Sequence, residues 1–299
     1  MLAALSAGLA AVLGWLGGGW WLLDLLSHFQ VQYAWFLGLC AILLLLLRSP
    51  RLALFVALLM ILPLLRIAPA FLRPSAQGSG TSAKLRVASF NVLMINRDHE
   101  ATIHWTRETA PDVVFYTEVD NIWLKALHAL DDAYPYVVED GSGVALYSKF
   151  PVISQRIRFC SDGNDNPLLI ARLQTPGGEM TVYAGHPDPP FSARRMKIHA
   201  EFTAALTEEL EGKGGERLIV MGDMNCTRWS RASQPFDAMG LVDGAQGNSP
   251  GPTWRRCNPF CGIPIDRIFY RGPGMNCPSF VIAPDLGSDH RPLIAEIAW

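Results

Sequence analysis

Between Met1 and Arg73 the chain carries five charged side chains, Asp24, Arg48, Arg51, Arg66 and Arg73, and almost everything else there is apolar. So long an apolar run does not fit into one small soluble core with the rest of the chain, and composition divides the molecule here. Three stretches stand out, over residues 2–23, 31–47 and 52–72. A helix crosses a bilayer with about 20 apolar residues. The first stretch is long enough, and the second lies near the short limit. The third reaches that length when Arg66 snorkels towards a headgroup region. Residues 1–73 are therefore predicted to form three transmembrane helices. A cleaved signal peptide fits the first stretch poorly, because no basic segment precedes it and its apolar run is long. A helical hairpin held in one leaflet is the alternative for the second and third.

The short loops set an orientation. Arg48 and Arg51 flank the Ser49-Pro50 turn, and the preceding loop, 24–30, has neither Lys nor Arg. Positive charge is retained on the cytoplasmic side. The rule puts the N-terminus and this turn inside and the remainder of the chain outside. In a bacterium that is the periplasmic face of the inner membrane. Arg66 and Arg73 lie on the exported side and pull against the assignment.

Residues 74–83, rich in Ser, Gly and Ala, read as a flexible linker. Residues 84–299 are long enough to bury a full core of their own. From residue 74 onward the chain has 21 Lys+Arg against 26 Asp+Glu, a net charge of −5. An acidic domain grips nucleic acid poorly by phosphate neutralisation alone, although a local basic patch stays open. Cys257 and Cys261 are close enough for a loop-closing disulfide, which an exported domain allows. No Cys-x-x-Cys or nearby His favours zinc, and buried thiols are the plain alternative.

Within the domain, short apolar runs split by Gly and Pro predict strands over 84–90, 112–116, 143–148, 152–158, 168–173, 180–184, 217–221, 265–270, 279–282 and 293–297. Helices are predicted over 100–109, from a cap at Asn121 to Leu130, and from a cap at Ser192 with Ile198, Phe202, Leu206 and Leu210 near one face. Many short strands with few helices predict an α/β fold of two packed sheets flanked by helices.

Polar residues punctuate the ends of these runs. Asn91 closes the first and Glu118 follows the second. His186 opens His186-Pro187-Asp188-Pro189-Pro190, Asp223-Met224-Asn225 follows a strand through Gly222, and Gly287-Ser288-Asp289-His290 precedes the last. Turn-forming Asn and Asp, or a solvated acid, is the bland reading of each alone. Together, Glu118, Asn91 and Asp289 offer the hard oxygens that suit Mg²⁺ rather than zinc. Asp266 is flanked by apolar residues and needs a partner. Its neighbour Arg267 is the plain candidate, although strand alternation points it to the opposite face; His290 is the sharper one. An Asp beside a His fixes the tautomer and raises its basicity.

The ordered set Ser89-Phe90-Asn91, Thr117-Glu118, Gly185-His186, Gly222-Asp223-Met224-Asn225, Ile265-Asp266 and Ser288-Asp289-His290 resembles the endonuclease/exonuclease/phosphatase superfamily over about residues 84–299. The resemblance implies a four-layered α/β sandwich, two packed mixed β-sheets flanked by helices, behind an N-terminal transmembrane segment. It implies a phosphoesterase using Mg²⁺, or Mn²⁺, with Asn91, Glu118 and Asp289 around the metal. His290, oriented by Asp266, would act on the attacking water. Asp223 and Asn225 would position that water or the phosphoryl group, and His186 would stabilise the phosphate. Whether Asp223 or His290 is the base stays open. Two departures stand out: Thr117 where many members carry Gln, and the Pro-Asp-Pro-Pro run after His186, which would reshape the substrate lip.

The expected function is a membrane-anchored, divalent-metal-dependent phosphoesterase acting on a phosphodiester or phosphomonoester, with a lipid headgroup favoured by the anchor and the acidity. Trp229, Trp254 and Phe260 would form an apolar lip, with core packing as their alternative. A membrane-tethered nuclease acting on DNA or RNA is the second reading, with Arg194, Arg195, Lys197, Arg228, Arg231, Arg255 and Arg256 as groove candidates. A non-catalytic binding module of the same fold is the third.

Overall fold

The computed structural model describes residues 1–16, 19–72, 83–161, 166–247, 251–255 and 262–299. The expected linker, apart from Ala83, lies outside them, as do Arg256, Cys257, Phe260 and Cys261. The strands in chain order are β1 (Lys84–Asn91), β2 (Val113–Thr117), β3 (Tyr136–Glu139), β4 (Val144–Ser148), β5 (Val152–Phe159), β6 (Pro167–Thr175), β7 (Gly178–Gly185), β8 (Leu218–Asp223), β9 (Val242–Asp243), β10 (Asp266–Arg271), β11 (Asn276–Ile282) and β12 (Leu293–Ala298). The helices are α1 (Leu2–Leu16), α2 (Trp21–Ser27), α3 (Gln30–Leu46), α4 (Pro50–Leu72), α5 (His99–Thr109), α6 (Asn121–Leu127), α7 (Ala193–Leu210) and α8 (Gln234–Ala238).

The strands build two six-stranded sheets, ordered β11-β12-β1-β2-β4-β3 and β5-β6-β7-β8-β10-β9. Each is mixed, with one parallel pair: β1 with β2, and β7 with β8. Alternation decides what lies between them. Leu85 and Val87, Val113 and Phe115, Val144 and Leu146 from the first sheet meet Leu169, Ala171, Val182, Ala184, Ile219 and Met221 from the second, in one buried cluster. The opposite faces are covered by helices. Phe90, Tyr116 and Tyr147 pack with Trp105 of α5 and Trp123 of α6. Leu168, Tyr183, Val220 and Phe269 pack with Phe202, Leu206 and Leu210 of α7. The result is the expected four-layered α/β sandwich.

Local chemistry starts the helices. Ser192 accepts from Arg195 N at 3.2 Å and caps α7 as predicted. The cap of α6 is Asp120 rather than Asn121, because its carboxylate accepts from both Ile122 N and Trp123 N, at 3.0 and 2.8 Å. The short strands β3 and β9 have too few residues to give a period-two signal.

The N-terminal helices differ from three simple spans. Among the described residues one helix, Pro50–Phe71, is long and apolar enough to cross a membrane, and α1 with α2 passes the same test as a bent pair. The first predicted stretch is two helices, α1 ending at Leu16 and α2 starting at Trp21, at 117° to each other. Glycine is a poor helix former, so three in succession favour a break. At 17 residues α3 is shorter than a full span. Leu37, Ala41, Val56 and Ala4 knit these helices together. Their outer faces leave Leu9, Trp35, Leu39, Leu46, Leu54, Leu58 and Leu65 exposed.

Arg267 is buried on the outer face of β10, where its guanidinium meets Asp243 of β9 at 2.5 and 2.6 Å. Burial opposes ionisation of Asp243, but Arg267 and Arg228 outweigh it and hold the carboxyl below its usual range. This stabilisation is present above the ordinary Asp pKa of about 3.9 and is lost as the pH falls below it. Replacing Asp243 with Ala strands a buried charge and is expected to destabilise the domain by about 3–5 kcal/mol in chemical denaturation, whereas Asp243→Ala with Arg267→Met recovers much of that loss.

Candidate active site

The two parallel pairs end at the same edge of the sandwich. In register, Asn91 lies opposite Thr117 and Gly185 opposite Gly222. The antiparallel partners begin where these strands end, so Asp266 lies opposite Asp223 and Leu293 opposite Ser89. Side-chain parity does the rest. Val87 and Asn91, Met221 and Asp223, Ile268 and Asp266 fall on the same face of their strands. The stripe that fills the space between the sheets therefore turns polar at its last position. Gly222, at φ +144°, is needed because a Cβ there would lie 1.9 Å from Gly185 O.

These side chains form one network. The Asn91 amide donates to Glu118 Oε1 at 2.9 Å and to Asp223 Oδ2 at 3.2 Å. Asp266 Oδ2 sits 2.9 Å from His290 Nδ1, so the other ring nitrogen, Nε2, faces Asp223 Oδ2 at 3.6 Å. His186 Nε2 approaches the same Asp223 oxygen at 3.4 Å. Asn225, at φ +48°, turns away from that oxygen: its side chain donates to Pro187 O at 2.9 Å, while its backbone N–H donates to Asp223 Oδ1 at 2.9 Å. Glu118 is also left-handed, at φ +59°. Such backbone costs about 1–3 kcal/mol and collects at functional sites.

Electrostatics follows from burial and proximity. Burial favours neutral His290, but the Asp266 and Asp223 charges overcome it and push the imidazole up to about 10. Burial likewise favours neutral Asp223, but the His290 charge and the His186 hydrogen bond hold it well below the usual carboxylate range. Asp266 goes the other way, raised by burial despite His290. His186 is pulled down by burial and raised further by Asp223, for a net rise. The floor of the site is thus a carboxylate, Asp223, held between two imidazoles.

Asp223, Asp266 and His290 are close enough to share a cation, but Asp266 and His290 Nδ1 already satisfy each other. The oxygens of Glu118 and Asp289 are a better match for a hard cation, while Asn91 turns its amide NH2 towards Glu118 and its Oδ1 accepts from Leu93 N at 3.0 Å. Asp289 Oδ1 is buried with no hydrogen-bond partner, the condition of an atom whose partner is a metal ion. Its other oxygen accepts from Trp254 Nε1 at 3.0 Å.

Trp254 therefore orients a carboxylate, a role that its aperiodic Gly/Pro-rich setting did not signal. Thr253 Oγ1 accepts from the backbone N–H groups of Ile265 and Asp266. Ser288 Oγ donates to Asn91 O at 2.8 Å and ties the last motif to the first. Trp229, by contrast, is buried against Val31, Ile67 and Ala70 and forms no lip.

The sequence between the first and last of these motifs, residues 88–290, matches the Endonuclease/Exonuclease/phosphatase family. The chain belongs to that family. Its members are hydrolases of phosphoester bonds. Solved structures agree on the fold. A humanised TDP2 from D. rerio superposes with a TM-score of 0.61 at 19% identity, covering 72% of this chain and 99% of that one. An endonuclease/exonuclease/phosphatase from Bacteroides vulgatus gives 0.62 at 18%, covering 72% and 99%. One from Beutenbergia cavernae gives 0.60 at 19%, covering 72% and 71%. A sequence comparison with curated proteins returns no match.

In this family member the network opens into a cleft of about 680 Å³. Glu118, His186, Asp223, Asp289 and His290 line it, together with Leu93, Ile95, Phe191, Ile263 and Ile265. Among the described residues the lining holds one arginine, Arg195, whose guanidinium lies over Phe191, 4.4 Å from the ring centroid. Of the other groove candidates, Arg194 is exposed on α7, Lys197 pairs with Glu201 at 3.6 Å, and Arg256 lies outside the described residues. Arg228 faces Asp243, Arg231 donates to Trp15 O, and Arg255 pairs with Asp285. Replacing Asp266 with Asn removes the largest charge that raises His290. NMR titration of the imidazole in the metal-free chain should show its midpoint falling from about 10 towards the ordinary histidine range.

Proposed function

We propose that the chain is a membrane-held, divalent-metal-dependent phosphoesterase whose substrate is a phosphoester of a lipid headgroup. One observation carries this reading: an acid–imidazole floor sits at the bottom of a cleft whose walls are apolar and partly supplied by the hydrophobic N-terminal segment, through Leu25 and Phe29. The exposed apolar faces of α1, α3 and α4 supply the membrane contact. Arg48 and Arg51 stand at one end of α4, and Arg66, which donates to Trp229 O at 2.7 Å, near the other. Twenty-three residues of helix span about 34 Å, close to the thickness of a bilayer core. The domain then lies on the side opposite the Arg48–Arg51 turn, the periplasmic face of a bacterial inner membrane.

Asn91, Glu118 and Asp289 would hold Mg²⁺ or Mn²⁺. Bound there, the ion supplies Lewis-acid polarisation of a phosphoryl oxygen and neutralises developing charge. The chain's own groups do the rest. Asp266 fixes the His290 ring with Nε2 towards the cleft. Asp223, ionised and between two imidazoles, orients a water by accepting its hydrogen bond and is the group positioned to take its proton. With its high affinity for a proton, His290 acts as a cationic donor to the phosphoryl group or the leaving oxygen. His186 neutralises the same developing charge from the opposite side. The one arginine that the described residues bring to the lining and the domain's negative charge weigh against a nucleic-acid substrate, which needs several phosphate contacts.

The test uses the full chain in detergent with Mg²⁺, a phospholipid and sphingolipid panel, and plasmid DNA. Headgroup release is expected, reduced about 10²–10⁴-fold by His290→Ala. DNA nicking lost in the same variant would replace this reading with the nuclease one, and Mg²⁺ binding without any turnover would leave a binding module. Calorimetry should show Asp289→Ala weakening Mg²⁺ binding more than about tenfold.

A further inference from the structure

The N-terminal segment does not hang from the domain; it is latched to it. Asp24 in α2 is fully buried. Its Oδ1 accepts from Arg231 N and Ala232 N at 3.0 and 3.2 Å, and its Oδ2 lies 3.4 Å from His28 Nε2. His28 in turn accepts from Thr227 N at Nδ1 and from Trp229 Nε1 at its carbonyl, at 3.4 and 2.8 Å. Gln32, near the start of α3, donates to Gly262 O at 2.8 Å. A buried acid with three partners fixes position far more closely than apolar contact does, because a shift of an ångström leaves it unpaired. The residues it grips, 227–232, directly follow Asp223-Met224-Asn225.

The latch has a geometric result. Next to Asp24 and His28 in sequence, Leu25 and Phe29 line the cleft together with Ile95 and Phe191. Ile95 and Phe191 are 73% and 48% exposed, so the apolar surface continues to the mouth. The cleft volume of about 680 Å³ lies within the range of small-molecule sites, about 300–1,000 Å³. Apart from the floor, its polar lining groups are His28, Asp188, Asn225 and Arg195, the last stacked over Phe191.

We propose that the cleft is a site in two halves: the acid–imidazole floor takes the phosphoester, and an apolar subsite formed by Leu25, Phe29, Ile95 and Phe191 takes the alkyl chain of a bilayer lipid. This rests on the phosphoesterase reading. The N-terminal segment is thus part of the substrate site, and the domain alone would carry half of it.

The test measures binding, so it does not depend on turnover. The full chain in phosphatidylcholine nanodiscs with Mg²⁺ is titrated with methyl-, propyl- and hexylphosphonate, which are soluble and not hydrolysed. Affinity should rise with chain length by up to about fourfold per methylene. Phe29→Ala and Ile95→Ser should each cut the hexyl-to-methyl ratio several-fold. Because Ile95 is exposed, its replacement stays informative even if Phe29→Ala disturbs the latch. Equal affinity for all three phosphonates, or a rise that survives both substitutions, overturns the subsite while leaving the phosphoesterase reading intact. Failure of every phosphonate to bind, methylphosphonate included, overturns both.

Discussion

The charge at the end of the interlayer core is the constraint on which the rest depends. Asn91, Asp223 and Asp266 occupy the positions where, one pleat earlier, Met221 and Ile268 fill dry space between the sheets. Buried carboxylates in such a place cannot stand alone. Asp266 is tolerated because His290 reaches it, and Asp223 because two imidazoles and the Asn225 backbone N–H surround it. Each residue with a chemical role is therefore also one that makes another's burial possible. Removing any of them changes stability and chemistry together, and this makes single deletions at the floor hard to interpret without a pairing variant.

Much of this site was legible because strands obey a period of two. A polar residue that ends an apolar run and keeps the core parity is delivered to the edge, and that rule singles out Asn91, Asp223 and Asp266. The same rule sent Arg267 outward, where it meets Asp243. The family resemblance supplied the order of the motifs, which periodicity alone does not contain. What stayed hidden depends on distance in sequence. Asp24 reads as an isolated charge in a hydrophobic hairpin loop, and its partners lie about 207 residues away. Trp254 sits in a loop without periodicity, so its bond to Asp289 carries no local signature. Arg66, expected to reach for headgroups, instead donates to Trp229 O and lies over the ring of Trp15. Local reading weighs a charge against water or lipid and cannot see a third option, another part of the fold.

The N-terminal segment consequently holds two kinds of surface. The outer faces of α1, α3 and α4 are apolar and unpartnered, while α2 and the start of α3 carry the polar groups that meet the domain. The angle of 117° between α1 and α2 separates these roles, one helix on each kind of surface.

In the proposed membrane setting, the latch through Asp24 and Arg66 fixes the height and tilt of the cleft. A catalytic domain on a slack tether could sample both bulk solvent and membrane surface. A clamped one meets lipid as a two-dimensional population, in a single leaflet. Its rate would then follow the mole fraction of substrate in that leaflet, not the total amount present, and lipids of the opposite leaflet would become substrates only after crossing the bilayer.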